Sequence, residues 1–390
     1  MCLLDLLPAV LERNWTAHAA IPGDGPLRDA LLRMSIPVHS IPSAQYSNGY
    51  KTMRDVLRFG YELPAAAAVL RGLVRRLAID VIYVNGPRLL PAAALSGCPL
   101  IFHAHSYIAK RYARVLAGSC LRFVRSQVIA ASQFAAGGLP PYVPPSRLRV
   151  IYSGVPGVDS GRSERRDGGF RVGIIGRIAP QKGHLDLLRA ARIIARWRDD
   201  VRFLICGAPA FSAPGFSGDV RAAAIGLPVD FADWQSDISA VFSNIDLLAV
   251  PSDSHDAAPR VILEALSAGV PVVAYPSGGI PELIDGHTGI ITNARTPESL
   301  AGAILTLLND PARRRALSAA GLRRWAQRFR VERYRRDILA VLEEFVPQAA
   351  FERSRLPAPR PERQSAEPAG NQSGATPVRQ SSRQSLAPRT

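Results

Sequence analysis

Short apolar runs recur along this chain, and between them lie stretches whose apolar residues return at helical spacing. The second half shows the pattern plainly, with "FRVGIIG" (170–176), "VRFLICG" (201–207), "VDFAD" (229–233), "DLLAVPS" (246–252) and "VPVVAY" (270–275). Runs this short and this apolar suit strands buried on both faces, and strand–helix alternation is how a parallel, doubly wound sheet is written. The first half repeats the theme less cleanly, in "TAHAAIP", "IPVHSIP", "DVIYVNG", "CPLIFHAH", "SQVIAAS" and "LRVIYSG". Two α/β domains are expected.

Composition sets the boundaries. The polar, glycine-rich segment 156–169 reads as a linker between a domain over 1–155 and a second over 170–346 that ends in closing helices. From 347 to 390 the chain is rich in Pro, Ser, Gln, Arg and Gly, and nearly free of large apolar side chains. Such a tail buries too little surface to offset its ordering entropy and is expected to be disordered. No apolar run reaches the roughly 18 residues of a bilayer span, and the first residues, with acidic Asp5 and no basic leader, do not read as a secretory signal. Cys2, Cys98, Cys120 and Cys206 show no CxxC spacing, which argues against a zinc site or a disulfide framework. A cytoplasmic protein is expected.

The formal net charge is +16, which points to anionic partners. Arginine is the default cation: there are 45 arginines and only three lysines, Lys51, Lys110 and Lys182. Lys182 lies in "VGIIGRIAPQKGHLDLLRAA", where a strand ends at Gly176 and a loop carries Arg177 and Lys182. Two cations and two glycines at the carboxyl end of a strand suit a diphosphate. The alternative is ordinary loop charge beside a turn glycine. The stretch lacks a full GxGxxG, so it does not support a nicotinamide fingerprint.

The second stretch is "DAAPRVILEALSAGVPVV" (256–273). A helix is expected with Pro259 in its first turn, which places Glu264 on one face with Arg260, Val261, Ser267 and Ala268, away from Ile262 and Leu266. Glu264 suits either an i, i+4 ion pair with Arg260 or a carboxylate accepting from the two hydroxyls of a ribose. Asp256 stands just ahead, near the backbone amides of Ala257 and Ala258. It reads as a helix-start acid or as part of a site for an anion or sugar hydroxyls. Gly278 and Gly279, in "YPSGGIPELIDG", are expected to let the chain pass close to the same cleft or to form an ordinary turn.

Taken in order, "GRIAPQKG", "DLLAVPS", acid-x7-Glu in "DAAPRVILE", "EALSAGVPVVA" and "GGIPELIDGHTGI" resemble the donor-binding domain of the family-4 glycosyltransferases, retaining enzymes of the GT-B fold. The resemblance implies an α/β chain of two Rossmann-like, doubly wound domains facing across a cleft. It also implies transfer of a hexosyl unit from a nucleoside-diphosphate sugar to a glycan, polysaccharide or lipid-linked hydroxyl, and with no DxD motif in the sequence a divalent metal is not expected. Arg177 and Lys182 would bind the diphosphate beside Gly176, Glu264 the ribose, and Asp256 with Ala257, Ala258, Gly278 and Gly279 the transferred sugar. "CPLIFHAHSY" resembles the strand whose terminal histidine faces that sugar, which selects His105 over His103.

Two departures from the family pattern stand out. The first acid of the pair is Asp256 where glutamate is usual, which bears on sugar choice. The family also usually begins with a strand and a glycine-rich loop ahead of the helix that "MCLLDLLPAVLERN" resembles; a start recorded too late, or a truncated copy with an impaired acceptor side, is expected. Competing readings are a sugar phosphorylase or nucleotide-sugar epimerase, and a binding protein using the basic stretches 109–126 and 313–336. Against the latter, Trp325, Phe329 and Tyr334 fall at spacings that suit core anchors; peripheral contact at the inner face of a membrane is favoured over nucleic acid because the resemblance implies relatives that glycosylate lipid-linked acceptors.

Overall fold

The computed structural model describes residues 2–43, 53–139, 141–159, 169–209, 214–235, 237–252 and 255–346. Most of the expected linker (160–168) and the tail from 347 lie outside these.

All eleven expected strands form, each trimmed at its ends. In the first half, β1 (Ala19–Ile21) and β2 (Val38–Ser40) make a parallel pair. β3 (Ile82–Asn85), β4 (Leu100–Ala104), β5 (Ser126–Ala130) and β6 (Leu148–Val150) make a separate parallel sheet in sequence order. In the second half, β7 (Phe170–Ile175), β8 (Val201–Cys206), β9 (Val229–Ala232), β10 (Leu247–Val250), β11 (Val272–Ala274) and β12 (Ile290–Ile291) form one parallel sheet, ordered β12-β11-β10-β7-β8-β9. Among the described residues β12 is the one strand that periodicity missed, because two residues leave no period to read.

Strand burial explains the apolar runs. Every residue of β4, β10 and β11 is buried, as both faces of a parallel sheet are covered by helices. In the second half, Val172, Ile174, Phe203 and Ile205 pack on one side with Leu187, Leu188 and Ile304, while Leu248, Val250 and Val272 pack on the other with Ile262 and Leu266. Gly173 is small for a reason: a Cβ there would lie 2.8 Å from the Ile245 side chain.

Helix starts follow local chemistry. Thr296 accepts from the Ser299 amide ahead of Pro297, and Asp310 accepts from the Arg313 amide at 2.8 Å ahead of Pro311. Both are side-chain caps with proline at the first helical position. The last helix, Val331–Phe345, lays its apolar face on the first half of the chain, where Ile338, Leu339 and Leu342 pack with Leu6, Ile101, Ile129 and Ile151. Reciprocal bonds between Val155 and the 329–331 backbone, at 2.9 and 3.1 Å, fix the crossing.

Candidate functional site

The central strands β7 and β10 are parallel neighbours, so their carboxyl ends open on one edge of the sheet. After β7 come Gly176 at φ +148° and then Arg177, which is half-buried. A single 3-10 turn, Pro180–Lys182, follows. Gly183 then adopts φ +73°, and a Cβ on it would sit 1.9 Å from the Pro251 carbonyl oxygen. Only glycine fits that contact. It seats Lys182 against the loop that leaves β10, where Lys182 Nζ donates to Asp256 Oδ2 at 2.5 Å. The buried Ser252 hydroxyl donates to the same oxygen at 3.1 Å.

The loop after β11 closes on that one. Gly279 donates its amide to the Asp256 carbonyl at 2.9 Å. A Cβ on Gly278, at φ +56°, would lie 2.2 Å from the Asp256 carbonyl oxygen, and one on Gly279 would lie 1.9 Å from that of Ala257. Both glycines therefore serve close backbone approach. The helix itself begins one residue later than expected, spanning Arg260–Ser267, with Pro259 extended ahead of it. Ala257 and Ala258 consequently lie in the loop.

Glu264 is held by its own helix and by the other half of the chain at once. Arg260 Nη1 donates to Asp5 Oδ2 at 2.8 Å and to the Gly154 carbonyl at 3.2 Å, while its Nε stands 3.6 Å from Glu264 Oε1. The i, i+4 pair exists, but Arg260 gives its short bonds to Asp5 and Gly154. Burial raises the Glu264 pKa, with Arg260 opposing.

From the first half, His105 follows β4 directly. Its Nε2 bonds Asn85 Oδ1, and its ring stacks on His103 at 3.8 Å between centroids. Burial, with a contribution from the Arg260 charge, lowers its pKa to about 4, so it is neutral at pH 7. As Asn85 Oδ1 accepts, Nε2 carries the proton and Nδ1 keeps a free lone pair. His103 is buried against the Tyr83 hydroxyl, and burial depresses its pKa further.

Two contacts that the sequence did not announce join the halves. Glu282, on the short helix Ile280–Leu283, accepts from the backbone amides of Gln133 and Phe134 at 2.7 and 2.8 Å, and from the Tyr152 hydroxyl at 2.9 Å. It caps a helix of the opposite half. His255 stacks on Tyr107 at 5.6 Å and 8° and lies 5.9 Å from Phe134. The partners of Glu282 stand 130 to 149 residues away, beyond any local signal.

Of the predicted residues, the structure thus joins Lys182, Asp256, Ala257, Gly278 and Gly279 in one set of touching loops, with Gly176 and Arg177 on the same β7 loop. Glu264 and His105 lie where the halves meet, around Arg260. In the basic stretch 313–336, Phe329 and Tyr334 are fully buried and Trp325 donates to the Val155 carbonyl at 3.2 Å. Those aromatics are core anchors.

Two Rossmann-like halves with a cleft at their carboxyl edges define the GT-B class. Residues 169–310 match the family described as Glycosyl transferases group 1, and residues 3–156 match Glycosyltransferase Family 4. The chain belongs to the family-4, group 1 glycosyltransferases. It is 30% identical to the D-inositol 3-phosphate glycosyltransferase of Salinispora tropica over 67% of this chain and 61% of that protein. Against the GDP-mannose-dependent alpha-(1-6)-phosphatidylinositol monomannoside mannosyltransferase of Mycolicibacterium smegmatis it is 26% identical, over 72% and 80%. The match therefore spans less than two thirds of the Salinispora protein's length. Among solved structures, Anabaena HepE in complex with UDP-glucose superposes with a TM-score of 0.74 at 24% identity, over 88% of this chain and 95% of that one.

Proposed function

We propose that this protein transfers a hexosyl unit from a nucleoside-diphosphate sugar to an acceptor hydroxyl with retained configuration. The observation that carries the reading is the meeting of Lys182 and Asp256 at 2.5 Å, at the carboxyl edge of the two central strands and beside two glycine-held loops. Open α/β sheets bind ligands at that edge. With donor bound, Lys182 and Arg177 hold the diphosphate, Glu264 accepts from the ribose hydroxyls, and Asp256 turns to the sugar.

A diphosphate leaves well, so the site needs fixed positive charge where negative charge grows, and the two cations supply it without a metal. The acceptor oxygen bonds to the anomeric carbon as the bond to the diphosphate oxygen breaks. The acceptor's proton passes to that diphosphate oxygen, on the face the leaving group departs from. Neutral His105 presents an unprotonated Nδ1 from the opposite half, suited to a sugar hydroxyl.

The relatives act on inositol phosphate or phosphatidylinositol mannoside, as their names state, which supports a polar hydroxyl acceptor, free, glycan or lipid-linked. A peripheral membrane position has its own observation. Helix Met53–Arg76 exposes Leu57 (71%) and Tyr61 (88%) beside exposed Arg54 and Arg58, and helix Arg111–Phe123 exposes Phe123 (87%) beside exposed Arg122. Apolar side chains among cations suit an anionic interface. Among the described residues no helix is long and apolar enough to cross a membrane.

The test is a screen of UDP- and GDP-hexoses by thermal shift, followed by transfer assays with the stabilising donor and NMR of the product's anomeric configuration. Inversion at that carbon refutes retention. Formation of free sugar phosphate in phosphate buffer moves the assignment to a phosphorylase.

A further inference from the structure

The short helix Gln133–Ala136 has a start that the two halves complete together. The first amides of a helix have no partner within it. Ser132 accepts from the Ala135 amide at 3.0 Å, a cap supplied by the helix's own half. The amides of Gln133 and Phe134 donate to the Glu282 carboxylate of the other half, at 2.7 and 2.8 Å.

The same turn of chain supports the loop that carries Asp256. On one side of Asp256, His255 stacks on Tyr107 at 5.6 Å and 8° and lies 5.9 Å from the Phe134 ring. Tyr107 is held in its turn. Phe134 lies 5.1 Å from it, and Arg114 Nη1 donates to its hydroxyl at 3.2 Å and to the Ile108 and Ala109 carbonyls at 3.1 Å. On the other side, Ala257 is buried against Ala130, Ala135 and Ala136, small side chains that let two backbones come close. Gly279, whose amide holds the Asp256 carbonyl, has the Ser132 hydroxyl 3.1 Å from the place of a Cβ. Both neighbours of Asp256 therefore rest on the N-terminal half, while its own carboxylate bonds to Lys182 and Ser252 of the C-terminal half.

Other contacts between the halves serve a different end. Arg149 pairs with Glu344, and Arg125 donates to the Phe345 carbonyl at 2.6 Å. Both hold the last helix and not the strand-end loops. We propose that the start of helix Gln133–Ala136 is a positioning element for the transferred sugar, with Phe134 and Glu282 as positioning residues that fix the backbone on both sides of Asp256. The inference rests on the proposed role of Asp256 toward that sugar. The diphosphate is gripped from the β7 loop, which Gly183 seats against Pro251 within the C-terminal half. Loosening the support therefore costs turnover and spares diphosphate affinity, since small misplacements at a reacting centre slow the chemistry.

The test compares the parent protein with Glu282→Ala, Glu282→Gln and, as a control at the interface, Glu344→Ala. In Glu282→Ala, kcat is expected to fall about fivefold, the rate equivalent of one lost cap. Donor KM, and UDP and GDP affinity by calorimetry, stay at the parent values. Glu282→Gln keeps an acceptor oxygen for one amide and recovers part of kcat, and Glu344→Ala keeps all of it. Hydrogen exchange at Ala257, Ala258 and Gly279 is expected to quicken in Glu282→Ala by about the same factor, with no change from Ile178 to Gly183. Equal losses of kcat in Glu282→Ala and Glu344→Ala, or no loss in either, overturn the proposal. So does unchanged exchange at Ala257 and Ala258. A parent protein that transfers no sugar defeats the proposed activity instead, and the exchange comparison then decides the positioning role alone. If Glu282→Ala fails to fold, Phe134→Leu, which keeps apolar bulk and removes the ring beside His255, is put to the same measurements and the same outcomes.

Discussion

At the centre of the C-terminal sheet β7 is flanked by β8 and β10, and its loop is pressed by Gly183 against Pro251. At the corresponding place of the N-terminal half a cavity separates β1 from β3. The first half has its own core, where Val84, Leu100, Phe102 and Val128 pack with Leu70 and Leu121, and it also takes contacts from the second: the helix Val331–Phe345 across one face of the β3–β6 sheet, the Glu282 carboxylate on the amides of Gln133 and Phe134, and His255 against Tyr107. Each half has a core, but one closes its sheet at the centre and the other keeps a gap there. The proposed donor site lies in the closed sheet, which suits it, because cations that stabilise a leaving group must be in place before the reaction.

The comparison can be broken in several ways. Lys182→Ala should lower turnover by about 100-fold or more, the scale of losing one charge-stabilising group, whereas Lys110→Ala on the N-terminal half should leave turnover with a soluble acceptor intact. Equal losses would remove the distinction.

Next in size is acid sensitivity. Burial lowers both His105 and His184 to about 4, and His103 is depressed as well. The unfolded chain binds protons near pH 6.5 that the folded rings refuse, so this stability is present above that pH and is lost as pH falls toward about 4. At pH 5 each of the first two rings costs about 2 kcal/mol. Because two of the three rings stand at β4, amide exchange at pH 5 should accelerate in β3–β5 before it does in β7. The reverse order would place the weaker half on the C-terminal side.

Glu264→Gln should weaken donor binding by about tenfold, near 1.5 kcal/mol for a hydrogen bond to a charged group. Calorimetry showing unchanged affinity would leave Glu264 as the partner of Arg260 alone. The smallest effect is expected of Glu282→Ala, about 1 kcal/mol as for a lost helix cap. It should lower the thermal midpoint by a few degrees and reduce turnover while donor affinity stays the same. A fall in donor affinity instead would bind the two halves more tightly in function than their contacts suggest.

How legible this was depended on distance along the chain. The strands at 170–176 and 201–207 showed because buried parallel strands need unbroken apolar residues, and β12 did not because two residues have no period. Lys182 stood out as one of three lysines, and Asp256, Glu264, Gly278 and Gly279 by a spacing that resembles a family. The meeting of Lys182 with Asp256 needed β7 and β10 to lie side by side though 74 residues separate the two side chains. Pro259 was placed one residue too far into its helix, because proline fits both the last extended and the first helical position.

Sequence alone determined the alternation of strands and helices, the apolar faces that bury them, and which charged residues and glycines the strand-end loops carry. Those follow from local periodicity and side-chain chemistry. Tertiary structure decided the rest: that Arg260 gives its short bonds to Asp5 and only a 3.6 Å contact to Glu264, that Glu282 caps a helix of the opposite half, and that a space is left between β1 and β3. Each of these joins groups far apart in the chain, and strand order, which no local pattern encodes, determines which of them meet.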